Sequence, residues 1–129
     1  MLFTPAKTSQ TKIKKSGPES GLHVDLVQTT DVLASLVAAR TDPRQILVGF
    51  AAETPTPGHS LLELGQAKLL RKGCDLLVLN DVGEGKAFGR NDNEIVLLTP
   101  HGVTGPIAGP KDTLAHEIWD AALLLRSQR

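Results

Sequence analysis

The chain has 129 residues, 40% of them hydrophobic and 22% charged, a balance that supports one compact domain burying roughly two-thirds of its unfolded surface. Fourteen Lys and Arg offset fourteen Asp and Glu, so no net field draws a nucleic-acid backbone or an acidic membrane surface, and three Phe with one Trp and no Tyr offer few stacking platforms for single strands. The lone Cys74 cannot close an internal disulfide. With no signal peptide or long apolar run, this points to the cytoplasm, with neither nucleic acid nor membrane as partner.

Residues 1–21 carry Lys7, Lys12, Lys14 and Lys15, with no acidic residue before Glu19. Being rich in Thr, Ser, Gln and Pro, they read as a basic, mostly irregular arm, and residues 22–129 as the α/β domain. Alternation from His23 to Val27 predicts a strand. Thr30 or Asp31 then caps a helix over Val32 to Arg40. Asp42 and Pro43 break it, and the apolar, β-branched run Ile46 to Ala52 reads as a strand covered on both faces. After a Pro- and Gly-rich loop from Glu53 to His59, Ser60 caps a helix that ends near Lys72, with Gly73 in the terminating position. Cys74 to Leu79 is a second buried-strand pattern, followed by Asn80 and Asp81. The glycine-rich stretch Val82 to Asn93 reads as a loop. Ile95 to Leu98 and Val103 to Ile107 flank Pro100, His101 and Gly102 as a hairpin, and Leu114, Ile118, Ala121 and Leu125 share one stripe of a final amphipathic helix. The predicted fold is a three-layer α/β domain: a mostly parallel sheet, helices on both faces, and an added antiparallel β-hairpin.

Ligands of open parallel sheets sit beyond the carboxyl ends of strands, which singles out Thr29–Val32, Ala51–His59 and Asn80–Phe88. Lys68 and Lys72 share a helix face at i, i+4 spacing, fit either to grip an oligophosphate or to offset the helix dipole in a solvated last turn. Lys12-Ile13-Lys14-Lys15 is either a closing cationic arm or a solvated tail. Asn80 and Asp81 suit a ligand loop, a magnesium ion held through Asp81, or an Asx turn. Gly83, Gly85 and Gly89 do not match a dinucleotide fingerprint. Cys74 reads as core, and His23, His59, His101 and His116 lack metal-ligand spacing, so no protein-held metal site is expected.

In order, Lys12-Ile-Lys-Lys15, Thr30-Asp-Val-Leu33, Val48-Gly-Phe-Ala-Ala-Glu-Thr54, Ala67-Lys-Leu-Leu-Arg-Lys72, Cys74-Asp-Leu-Leu-Val-Leu-Asn-Asp-Val82 and Phe88 form a set that resembles phosphopantothenate-cysteine ligase. Nearly the whole chain is similar to the C-terminal half of the bacterial synthetase domain, usually fused behind a flavin-dependent decarboxylase. The resemblance implies a coenzyme A enzyme that activates 4′-phosphopantothenate with CTP and Mg2+ to an acyl-cytidylate before cysteine displaces CMP. By the same resemblance, Lys12 belongs to a catalytic flap, Phe50 and the loop Thr30, Asp31, Val32, Leu33 lie at the nucleotide, and Lys68 and Lys72 bind its phosphates. A homodimer is implied, with the hairpin Ile95–Ile107 as the candidate contact because hairpins leave pairable edges. The family's N-terminal half has no counterpart here, nor does its flavin. Met1 and Leu2 stand where relatives carry an Ala-Asp pair, which suggests an excised or truncated product. The competing expectation is a non-catalytic nucleotide-binding or dimerisation module.

Overall fold

The computed structural model describes residues 2–14, 17–18, 21–83 and 92–129. The Gly-rich segment after Gly83, with Gly85, Phe88 and Gly89, lies outside them, as does Lys15 of the basic run. The chain divides into two compact units, Met1–Val32 and Leu33–Arg129.

The first unit is built on a two-stranded antiparallel ribbon of β1 (Phe3–Pro5) and β2 (Leu26–Gln28), registered Phe3 to Gln28 and Pro5 to Leu26. Backbone bonds extend the pairing at both ends, from the Ala6 N–H to the Asp25 carbonyl and from the Thr29 N–H to the Leu2 carbonyl, each 2.8 Å. Within the mostly irregular stretch 1–21 only Phe3–Pro5 is strand among the described residues, and one expectation is corrected: the strand read at His23–Val27 starts later and pairs with β1 rather than with the main sheet. Alternation reveals a strand but not its distant partner. Pro5 lacks a donor, which suits a position at the end of a short ribbon.

The second unit holds α1 (Val32–Ala39, whose first residue belongs to the other unit), β3 (Val48–Glu53), α2 (Leu61–Lys72), β4 (Leu76–Asp81), β5 (Asp92–Thr99), β6 (Gly102–Pro110) and α3 (Lys111–Ser127). Its sheet runs β3-β4-β5-β6, with β3 parallel to β4 and the β4–β5 and β5–β6 ladders antiparallel. This is an α/β fold, with the predicted hairpin forming the β5–β6 half. The strands form where aliphatic runs can be covered twice: Leu76, Leu77, Val78 and Leu79 are each at most 1% exposed. On one face Ala51, Leu77, Leu79 and Leu98 pack with Leu33 and Val37 of α1 and Leu61 and Leu69 of α2. On the other, Leu76, Val78, Ile95 and Leu97 pack with Leu114, Ile118 and Leu125 of α3.

Helix α2 is defined by local chemistry. The Ser60 hydroxyl accepts from the Glu63 N–H at 3.2 Å, and the Glu63 carboxylate accepts from the Ser60 N–H at 2.9 Å, a reciprocal capping box. Gly73 ends the helix in the left-handed region at φ 70°. The helix also lies unusually close to the sheet. A Cβ at Gly65 would stand 2.6 Å from Leu79 Cδ2 and 2.7 Å from Leu98 Cδ1, inside the fully buried layer.

A buried charge secures the amino-terminal edge of the parallel pair. The Asp75 carboxylate accepts from the Leu47 N–H at 2.8 Å and from Arg40 at 2.7 Å, and it pairs with Arg129, which also donates to the Pro43 carbonyl at 2.9 Å. Burial alone would raise the Asp75 pKa, but the Leu47 amide and the two guanidiniums outweigh it and hold the carboxyl below its ordinary value.

Candidate functional site

The carboxyl ends of β3 and β4 bring chemistry-bearing side chains together for a simple reason: parallel register makes strand ends neighbours. Ala52 pairs with Asn80 and Glu53 with Asp81, and the Val82 N–H donates to the Glu53 carbonyl at 3.0 Å, carrying the chain past the edge. Register partners point to the same face. Glu53 and Asp81 therefore share the α2 face with Ala51 and Leu79.

Helix α2 sends Lys68 to this edge, where its ammonium pairs with the Glu53 carboxylate, each side chain 23% exposed. Lys72 lies one turn further along and is buried at 8%. Both lysines thus belong to the sheet-facing stripe of α2 with Leu61, Gly65 and Leu69, not to a solvated last turn, and Arg71 between them is exposed. Sequence spacing identified the shared face. Glu53 as the partner of Lys68 was missed, although its place at the last residue of an apolar parallel strand is the signal that could have found it.

Asp81 accepts from the Gly83 N–H at 2.9 Å, two residues on, which is the Asx geometry anticipated as one alternative. The Asn80 amide donates to the Glu94 carbonyl at 3.3 Å, bracing β4 against β5. Phe50 is 68% exposed and projects from the opposite face of β3, so the structure does not gather it with Lys68 and Asp81. Leu33 is half-buried against the core, committed to packing through its side chain.

The first unit carries the remaining candidates. Lys12 is exposed in the segment joining β1 to β2, and its neighbours Thr11 and Ile13 line an open cavity of about 630 Å³ with Lys7, Ser9 and His23. His23 Nε2 lies 2.8 Å from Asp25 Oδ1, both exposed. Thr30 is exposed, Asp31 half-buried and Val32 65% exposed, immediately before and at the start of α1.

Cys74 is buried and its thiol is pushed up by that burial, which disfavours a thiolate nucleophile. Among the described residues no group of three or more His, Cys, Asp or Glu could hold a metal ion by itself. Glu53 and Asp81 nevertheless supply hard oxygen at one edge, and magnesium typically takes one or two carboxylates together with substrate phosphates. Two carboxylates fit a Mg2+ only where further oxygens complete its shell. No helix among the described residues is long and apolar enough to cross a membrane.

The family model for the DNA/pantothenate metabolism flavoprotein C-terminal domain matches residues 2–125. The chain is 43% identical over 132 residues to the coenzyme A biosynthesis bifunctional protein CoaBC of Mycolicibacterium smegmatis, covering 98% of this chain and 32% of that protein. It is 36% identical over 117 residues to CoaBC of Vibrio cholerae, covering 90% and 28%. The chain thus spans about a third of the length of these relatives. The crystal structure of the C-terminal domain of CoaBC superposes with a TM-score of 0.55 at 25% identity, covering 81% of this chain and 46% of that one. A DNA/pantothenate metabolism flavoprotein from Streptococcus pneumoniae shares the fold, with a TM-score of 0.60 at 14% identity.

Proposed function

Because the chain belongs to the DNA/pantothenate metabolism flavoprotein C-terminal domain family, we propose that it forms the nucleotide-binding half of a cytoplasmic ligase that joins 4′-phosphopantothenate to cysteine with CTP as co-substrate. The observation that carries this reading is the placement of Lys68 and Lys72 on the sheet-facing stripe of α2, with the Lys68 ammonium at the carboxyl ends of the parallel pair.

In the proposed reaction the phosphopantothenate carboxylate attacks the α-phosphorus of CTP, the bond to pyrophosphate breaks, and the cysteine amine then attacks the acyl carbon, releasing CMP and a proton. Negative charge grows on the leaving pyrophosphate, and a preset ammonium stabilises it without reorganisation. Lys68 supplies that ammonium by exchanging Glu53 for phosphate, and Lys72 reinforces the field from the next turn. Lys12 acts as the flap lysine, a compact charge that follows the one developing on the acyl phosphate. The Thr30-Asp31-Val32-Leu33 loop and Phe50 flank the nucleotide. Asn80 and Asp81 border it, and Mg2+ entering with CTP takes Asp81 oxygen and offsets phosphate charge. In longer relatives of this kind a flavin decarboxylase precedes the ligase. The chain pairs as a homodimer through the β5–β6 hairpin, whose outer strand β6 is largely exposed; failure of tagged and untagged chains to co-purify would remove that part.

Calorimetric titration with CTP and magnesium tests the reading, with ATP as the control nucleotide. Saturable binding that prefers CTP and disappears in Lys68→Ala is expected. Equal affinity in that variant would overturn the assignment of Lys68. A second reading is an assembly module without turnover; absence of nucleotide binding by the folded chain would favour it.

A further inference from the structure

Two carboxylates of the second unit are paired with cations, and they are held in different ways. The Asp75 side chain is 7% exposed and takes three donors, the Leu47 N–H, Arg40 and Arg129. That is a closed structural clasp. The Glu53 side chain is 23% exposed and, among the described residues, has Lys68 as its one ionic partner. The backbone there is satisfied independently, since the Glu53 carbonyl accepts from the Val82 N–H at 3.0 Å. An ion pair at this depth is desolvated enough to hold and open enough to break.

Three features make the Glu53–Lys68 pair exchangeable. It stands past the carboxyl ends of the parallel strands, where ligands of such sheets arrive. An ammonium has three donors and no acceptor, so it passes from a carboxylate oxygen to a phosphate oxygen without any change of its own protonation. The register neighbour of Glu53 is Asp81, whose carboxylate accepts from the Gly83 N–H at 2.9 Å. Once Lys68 leaves it, Glu53 faces a like charge in half-buried surroundings, and Coulomb repulsion drives it back to the ammonium.

We propose that Glu53 is a built-in competitor for the anion site: it occupies Lys68 while the site is empty, yields it to a phosphate chain, and retakes it to hasten departure of the product anion. This rests on the reading of Lys68 as a phosphate ligand. The free energy of breaking the pair is the same for every anion that displaces Glu53. A weak ligand such as chloride then leaves the site unfilled, whereas a polyphosphate, with several charged oxygens, still fills it. After the ligand's bonds change, the tethered carboxylate is always at hand to take back the lysine.

The probe is inorganic triphosphate, which presents phosphates without base or sugar, titrated calorimetrically into the full chain at low ionic strength, with dissociation followed by stopped flow. Glu53→Gln keeps an acceptor oxygen of the same reach, so the lysine stays placed while the competing charge goes. The expected result is a rise in affinity of roughly fivefold, the scale of one partly screened ion pair, expressed as slower dissociation. Damage to the fold lowers affinity, so a merely structural role produces no such gain. The gain also requires Lys68: the double variant Glu53→Gln/Lys68→Ala binds no better than Lys68→Ala alone. Unchanged or weaker binding in Glu53→Gln overturns the inference. So does a gain that persists without Lys68, which would make Glu53 a source of general repulsion, and so does the absence of saturable triphosphate binding in both the parent and Glu53→Gln. Titration of CTP beside ATP separates the two claims. The expected triphosphate pattern without preference for CTP sinks the ligase reading and keeps the competitor, and preference for CTP with unaltered affinity in Glu53→Gln does the reverse.

Discussion

The β1–β2 ribbon and the β3–β4 ladder are both short strand pairs with ordinary backbone bonding, yet they differ in what covers them. In the ribbon, Phe3, Leu26 and Val27 are 60%, 56% and 48% exposed, while the four central residues of β4 are at most 1% exposed. Net hydrogen-bond energies are similar in the two settings, so the contrast isolates burial as the source of stability. A two-stranded ribbon with both faces wet is marginal by itself. The segment it ties off carries Lys12, and low local stability there suits the flap role proposed for that residue.

Truncation to alanine in each region is the strongest way to break this contrast. Leu79→Ala should cost about 3 kcal/mol, and Val27→Ala about 0.5 kcal/mol or less. Chemical denaturation of both variants decides it, and comparable losses would mean the ribbon shares the core's cooperativity. Asp75→Asn ranks next, at about 2 kcal/mol near neutral pH, because it weakens charge-assisted bonds to Arg40 and Arg129. Its sign with pH is fixed: the folded-state pKa lies below the unfolded one, so the stabilisation is full above about pH 4 and fades as pH falls through the folded value. A pH series of melts should therefore show wild type and Asp75→Asn converging in acid. Ser60→Ala removes one half of the capping box, and about 1 kcal/mol is expected from its urea midpoint. Lys12→Ala has the smallest structural effect, within about 0.5 kcal/mol for an exposed site, while on the proposed ligase reading CTP-dependent ligation falls sharply; unchanged ligation would remove Lys12 from the proposed flap.

How much of this was legible depended on the range of the determining contacts. Helix α2 was readable to its ends because Ser60, Glu63 and Gly73 act within one turn of where they stand. The β4 core was readable because burial on both faces leaves an unbroken aliphatic run; β3 carries a similar run but is the edge strand with Phe50 and Ala52 exposed, so the expectation of cover on both faces fails there. β1 escaped, since three residues including Pro5 carry no period and the partner strand lies more than twenty residues away. At the site, i, i+4 spacing placed Lys68 and Lys72 on one face of α2, but only packing shows that this face meets the sheet and that Glu53 receives Lys68. Asp75 looked like one more residue of a buried strand. Its partners Arg40 and Arg129 are 35 and 54 residues distant, and no local pattern announces them.

Gly65 acts as a gauge block. With hydrogen where other residues have a methyl group, α2 rests directly on Leu79 and Leu98, and the depth of that seating sets how far every side chain on its inner stripe extends past the strand ends. A thicker residue there would lift the helix as a rigid rod and withdraw Lys68 from Glu53 without touching either one. The length of a lysine and the absence of a side chain one turn earlier are thus two halves of a single dimension, so a redesign of the Lys68–Glu53 pair has to treat positions 65 and 68 as one tolerance.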